Sequence, residues 1–165
     1  PKLPLDHLTQ TRAWLEKSIL ETNPNPELLS QMFQTVKEIQ KLSGDLTPWL
    51  NLEAHIYWKE NKLDKAEKKY LDVVNRYKKD TNNDHLLSIA YTNLLNMRFG
   101  QQKFNEIKNM IPELIKFLEK YENEKLPHKD FMKKIKDICE LEKNIILTDE
   151  ERTQLAELEK IANAI

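Results

Sequence analysis

Glycine is almost missing from this chain: Gly44 and Gly100 are the only two in 165 residues. A sheet protein with tight hairpins needs more turn glycines than that, and a phosphate-cradling loop could hardly be built from two. Cysteine is scarcer still. Cys139 stands alone, which excludes an internal disulfide framework and a cysteine-rich zinc site and fits a reducing compartment. No apolar run approaches the ~20 residues of a membrane span, and no signal-peptide pattern opens the chain. Charge of one sign is missing too: the net value of -1 leaves no global basic field for nucleic acid. What remains is rich in Glu, Lys, Leu, Asn and Ile. Apolar residues at 39% beside charged residues at 32% suit helices that each solvate one face.

Periodicity and punctuation predict eight helices. The first covers Leu5 to Glu21, with Leu5, Leu8, Leu15 and Ile19 as its stripe, and stops at Asn23-Pro24-Asn25-Pro26. The second takes Asn25 as N-cap and Pro26 as first residue, buries Leu29, Met32, Phe33, Val36 and Ile39, and ends before Gly44. The third opens at Thr47-Pro48 and ends near Asn61. The fourth, Leu63 to about Lys79, repeats Leu63, Ala66, Tyr70, Val73 and Tyr77 at steps of 3 and 4. A polar linker, Asp80 to Asp84, leads to the fifth, which ends at Gly100. The sixth spans Lys103 to Tyr121, and Pro112 inside it predicts a kink. After a charged linker, Glu122 to Lys125, the seventh runs from His128 to Lys143. Ile145-Ile146-Leu147 is expected to plug a gap, and Thr148-Asp149-Glu150-Glu151 is a capping box that starts the eighth.

Eight helices with short connections make four antiparallel pairs, and a pair alone cannot bury its apolar faces. The expectation is one all-α domain over 1–165, built of stacked hairpins in a right-handed superhelix; an irregular bundle of the same helices is the alternative. Leu50 to Tyr77 is the pattern's best copy. Ala54, Tyr57, Ala66 and Tyr70 hold a small-aromatic-small-aromatic order around the turn Asn61-Lys62-Leu63-Asp64, and Tyr91 to Leu118 repeats the plan with its turn shifted by about 41 positions. Those residues resemble a tetratricopeptide (TPR) repeat. Glu53 stands where the repeat has Leu and Val73 where it has Ala. In the second copy Leu95 and Ile107 replace the small residues and Arg98 an aromatic.

Degenerate repeats of this length in a Lys/Asn/Glu-rich chain resemble the C-terminal domains of bacterial quorum-sensing regulators of the Rgg and PlcR type. The resemblance implies a cytoplasmic sensor domain of a transcription regulator that binds a short peptide on its concave face and forms a homodimer. It also implies a helix-turn-helix domain ahead of it. A chain opening on Pro1 rather than Met fits a fragment from which such a domain was removed. This fragment itself is expected to make no direct nucleic-acid contact and no membrane contact, and to need no cofactor. The alternative is a scaffold that docks a partner's tail or helix.

In that architecture the first helix of each pair lines the concave face. Asn51, His55 and Trp58 on the third helix, and Thr92, Asn96 and Phe99 on the fifth, are the candidate peptide-binding residues. Amides pair with a peptide backbone, and aromatic rings hold apolar side chains. The bland reading beside this is that the aromatics pack and the polar residues are solvated. Trp14 and Trp49 are assigned to packing. The four histidines show no metal spacing, Cys139 has the helical phase of a core residue with no assignable base, and the carboxylate clusters are explained by capping. No catalytic constellation appears, so a non-enzyme is expected. The lysine runs 65–69 and 133–136 alternate with acids and read as solvated faces.

Overall fold

Helix termination explains most of what this chain does locally. The computed structural model describes residues 5–21, 26–42, 47–79, 84–121 and 127–165. Among them are α1 (Leu5–Glu21), α2 (Pro26–Leu42), α3 (Thr47–Lys59), α4 (Leu63–Lys78), α5 (Asp84–Gly100), α6 (Phe104–Asn109), α7 (Ile111–Glu119), α8 (Lys129–Cys139) and α9 (Asp149–Asn163), with a single 3-10 turn at Leu141–Lys143. No strand occurs among the described residues. The Asn23–Asn25 stop, the Gly44 cap and most of the two linkers, 80–83 and 122–126, lie outside them, as do the side chains of Leu5 and Leu8.

The two hairpin turns are the same object, 41 residues apart. Asn61 takes φ 60 and Gln102 takes φ 55, both left-handed. At the first turn, Asn61 N–H donates to Trp58 C=O at 2.9 Å and Lys62 N–H to Tyr57 C=O at 2.8 Å. At the second, Gln102 N–H donates to Phe99 C=O at 3.0 Å and Lys103 N–H to Arg98 C=O at 2.9 Å. This pair of bonds is the Schellman closure, which satisfies carbonyls that a helix end would otherwise leave bare. The next helix starts identically too, with Ala66 N–H to Lys62 C=O and Ile107 N–H to Lys103 C=O. Gly100, expected to be the stop, is instead the last residue of α5. The left-handed position falls two residues later on Gln102, an L side chain that takes this conformation at a cost.

The expected sixth helix is divided. Met110 caps α6 and precedes α7, and it keeps a right-handed φ of -82. Pro112 has no N–H to return to Lys108, so the ladder is interrupted there and resumes with Leu114 N–H to Met110 C=O at 3.0 Å.

The chain forms two compact units, Pro1–Arg76 and Tyr77–Ile165. In the first unit α3 packs against α1 and α2. Their shared core holds Leu15, Ile19, Leu29, Met32, Val36, Trp49, Leu52 and Ile56, with Phe33 and Ile39 against it. Ala54 and Ala66, both fully buried, let α3 and α4 approach. The contacts Glu53–Lys69 and Tyr57–Lys65 run in opposite directions along the two helices, as an antiparallel pair requires. In the second unit α5 packs on α6 and α8, and α9 packs on α7 and α8. Within each unit, then, two successive hairpins stack, and the all-α reading holds.

Some packing differs from expectation. Trp49 is buried, but Trp14 is 65% exposed and packs into no core. In the apolar turn only Leu147 plugs the interior, while Ile146 is 97% exposed. The box at α9 forms its first half, Glu151 N–H to Thr148 Oγ1 at 3.2 Å, while the Glu151 carboxylate reaches Lys108 of α6 at 3.2 Å.

Gln102 is exposed, so its side chain contributes no packing at this turn. Gln102→Gly should raise unfolding free energy by roughly 0.5–1 kcal/mol through relief of the left-handed strain. Gln102→Val should lower it. Urea titration followed by helical circular dichroism checks both signs.

Candidate functional site

The six expected peptide-contact residues divide between the two units, and each set has its own surroundings. In the first unit α3 is covered on several sides, so a side chain aimed away from α4 is not thereby in solvent. His55 is 4% exposed, not open on a face as expected. Its Nδ1 lies 2.5 Å from the Tyr70 hydroxyl of α4, and its Nε2 lies 3.6 Å from Glu16 Oε1 of α1. Glu16 thus faces Nε2 at ion-pair rather than hydrogen-bond distance, while Nδ1 and the Tyr70 hydroxyl share one buried hydrogen bond. The interaction with His55 holds the Glu16 carboxyl below its ordinary range against the opposing effect of burial, and Arg12 adds to the lowering. Burial pushes the Tyr70 phenol up, with the Glu16 charge adding to it, so it stays a donor at any physiological pH. Trp58, 38% exposed, meets the Tyr70 ring edge-on at 6.3 Å. Asn51 is half-buried. The chemistry of this carboxylate–imidazole–phenol line is to tie three helices together.

One residue earlier than Ala54 sits a buried charge that sequence reading treated only as a departure from pattern. Glu53 is 1% exposed, with Lys37 Nζ 3.3 Å from one oxygen and Lys69 Nζ 3.2 Å from the other. The Gln40 amide of α2 also donates to it. Lys69 was expected on a solvated face; the Glu53 charge draws it inward, while Lys65 lies over the Tyr57 ring at 5.7 Å. The missed signal was the set of cations on neighbouring helices, which one helical wheel does not show.

In the second unit Thr92 is enclosed, contrary to expectation, and donates to the Ser88 carbonyl at 2.8 Å. Asn96 and Phe99 are half-buried, and here the structure does assemble a surface. A cleft of about 420 Å³ lies between α5 and α8, lined by Asn96, Asp130, Lys133, Lys134, Lys136 and Asp137. Lys134 binds Asp137 at 3.2 Å and holds its ammonium 5.3 Å above the Phe99 ring. Phe99 is braced by Phe104 at 6.4 Å. At the other end of the same two helices, Ser88 Oγ donates to His85 C=O at 2.6 Å and accepts from His128 N–H at 3.3 Å. The cleft therefore offers one amide and charges of both signs, with the Phe99 ring behind Lys134. The α8 residues were missed because their sequence alternation of acids and lysines is what any solvated face shows.

Burial, with Glu159 and Glu140 nearby, pushes the Cys139 thiol up to about 11, which leaves it a poor nucleophile near neutrality. Among the described residues no group of three or more His, Cys, Asp and Glu is placed to hold a metal ion, and no helix is long and apolar enough to cross a membrane. Comparison with protein-family models, curated proteins and solved structures finds no match to this chain.

Three outcomes follow for the first unit. Lys37 and Lys69 are 44% and 31% exposed and can turn to water, whereas Glu53 cannot. Replacing both lysines by Ala should destabilise by roughly 3 kcal/mol or more, because it strands a buried carboxylate, and Glu53→Met should cost markedly less. Urea melts of the two variants decide the order. Tyr70→Phe should cost about 1–3 kcal/mol by removing the donor to buried Nδ1. Because the Glu16 pKa is lowered in the folded state, its contribution is present above the unfolded value of 4.5 and is lost as pH falls through the folded one. The stability gap between the wild type and Glu16→Gln should accordingly narrow in melts run well below that pH.

Proposed function

We propose that this chain is a peptide-binding module of stacked helical hairpins, and that the α5–α8 cleft of the second unit receives the peptide. The observation that carries this reading is the meeting of Asn96 with Lys133, Lys134, Asp130 and Asp137 in one open cleft. Asn96 supplies both a donor and an acceptor to an extended backbone. Lys133 and Lys134 supply cations for a peptide carboxylate, and Asp130 and Asp137 restrict which side chains fit. Phe99 backs the Lys134 ammonium and so holds that cation in place. A surface of this kind rewards a short segment of defined sequence over bulk hydrophobic contact.

The resemblance to Rgg/PlcR-type sensor domains extends the proposal. On it the peptide is a signal, and the module is the sensing and dimerising part of a transcription regulator. That extension rests on the TPR-like skeleton at Ala54, Tyr57, Ala66 and Tyr70 and on the twin turns at Asn61 and Gln102.

A random peptide library displayed on phage and selected on the full chain tests the site. Peptides so obtained should bind Asn96→Ala and Lys134→Ala about ten-fold more weakly by calorimetry, a loss of ~1.4 kcal/mol for each. Unchanged affinity in both variants would place the peptide elsewhere.

A further inference from the structure

The second unit has another cleft, of about 480 Å³, lined by the end of α4, the start of α5 and the outer side of α7. It shares no lining residue with the α5–α8 cleft. Its floor is apolar: Leu87, Tyr77 and Tyr91 are buried, and the Tyr91 ring meets Phe117 at 5.4 Å in an edge arrangement. Phe117 is itself held by Phe131 and Tyr121, each 5.5 Å away, so this wall is rigid.

The rim is cationic. Lys78 and Glu113 form an ion pair and cancel. Asp84 stands in the first turn of α5, where the helix dipole engages an acid. That leaves Lys116 and Lys120, one turn apart on the same face of α7 and paired with no carboxylate among the described residues. Two ammonium groups at that spacing repel one another, and a carboxylate placed between them relieves the repulsion. A cation would be rejected at this rim. A ligand with no charge would gain nothing from the two ammonium groups, and an inorganic anion would leave the aromatic floor uncovered. The volume lies in the range of small-molecule sites.

We propose that this cleft binds a small monocarboxylic acid carrying an aromatic or branched apolar group, with the acid between Lys116 and Lys120 and the apolar group over Tyr91 and Phe117. The site is independent of the peptide cleft.

N-acetyl-L-phenylalanine is the probe, titrated into the ¹⁵N-labelled 165-residue chain and followed by amide shifts, with N-acetyl-L-phenylalaninamide and acetate as the arms lacking the charge and the ring. Saturable shifts at Leu87, Tyr91 and Phe117 are expected for the acid, with both controls at least about ten-fold weaker. The double variant Lys116→Gln, Lys120→Gln should lose a similar factor. The charge-matched double variant Lys143→Gln, Lys160→Gln, on exposed lysines away from the cleft, should lose none. All four side chains are exposed, so the fold survives the changes. Three results would overturn the proposal: equal binding of acid and amide, equal loss in the two double variants, or shifts confined to residues outside the cleft. A selected peptide displacing the probe would show that the two clefts are one site and would also overturn it.

Discussion

A carboxylate in a protein interior carries a desolvation penalty of several kcal/mol unless its oxygens are matched. Glu53 meets that condition with cations from both sides. Lys37 and Gln40 come from α2, and Lys69 comes from α4. The charge therefore acts as a positional constraint. A helix that slid by one turn along α3 would part its cation from Glu53, the only buried carboxylate among the described residues. Two residues on, His55 repeats the logic toward α1 and α4 through Glu16 and Tyr70. In the first unit the apolar core supplies most of the driving force, while these polar contacts fix which register the helices adopt.

The same constraint gives a physical reason for glutamate at position 53, where the TPR resemblance leads one to expect leucine. A leucine at position 53 would pack without preference for a neighbour. Glu53 and its partners exchange that generic contact for a directional one. In the second copy the departures go the other way. Leu95 and Ile107, both fully buried, stand where small residues would be. The hairpin there is held by bulk and by the aromatic cluster of Tyr91, Phe117 and Phe131. One backbone plan thus uses two kinds of cohesion.

Helix positions were largely legible in the sequence, because capping, proline and apolar period act within a few residues. The second, third, fourth and fifth helices start and stop close to where those signals put them, and the twin turns follow the predicted spacing. The break at Met110 was half legible: Pro112 announced a disturbance, but its form depended on how the ladder could resume. The candidate site was less legible. His55 and Thr92 carry the phase of an open face, yet helices far off in sequence close over them or hydrogen bonds within the helix occupy them. Asn96 and Phe99 keep the partly open surroundings expected of them, because α5 leaves both half-buried. Their α8 partners were hidden, since Lys133, Lys134 and Asp137 look like ordinary surface until a second helix is laid beside them.

The placement of the indole rings has an optical consequence. Trp14, Trp49 and Trp58 all belong to the first unit, and they span exposed, buried and half-open surroundings there. The second unit absorbs through tyrosine and phenylalanine alone. Emission excited at the red edge therefore reports on one half of the chain, with Trp58 beside the Tyr70–His55 line as its most chemically sensitive member. Tyrosine emission and helical ellipticity weigh the other half. Disagreement between these signals during denaturation would measure how far the two halves unfold as one.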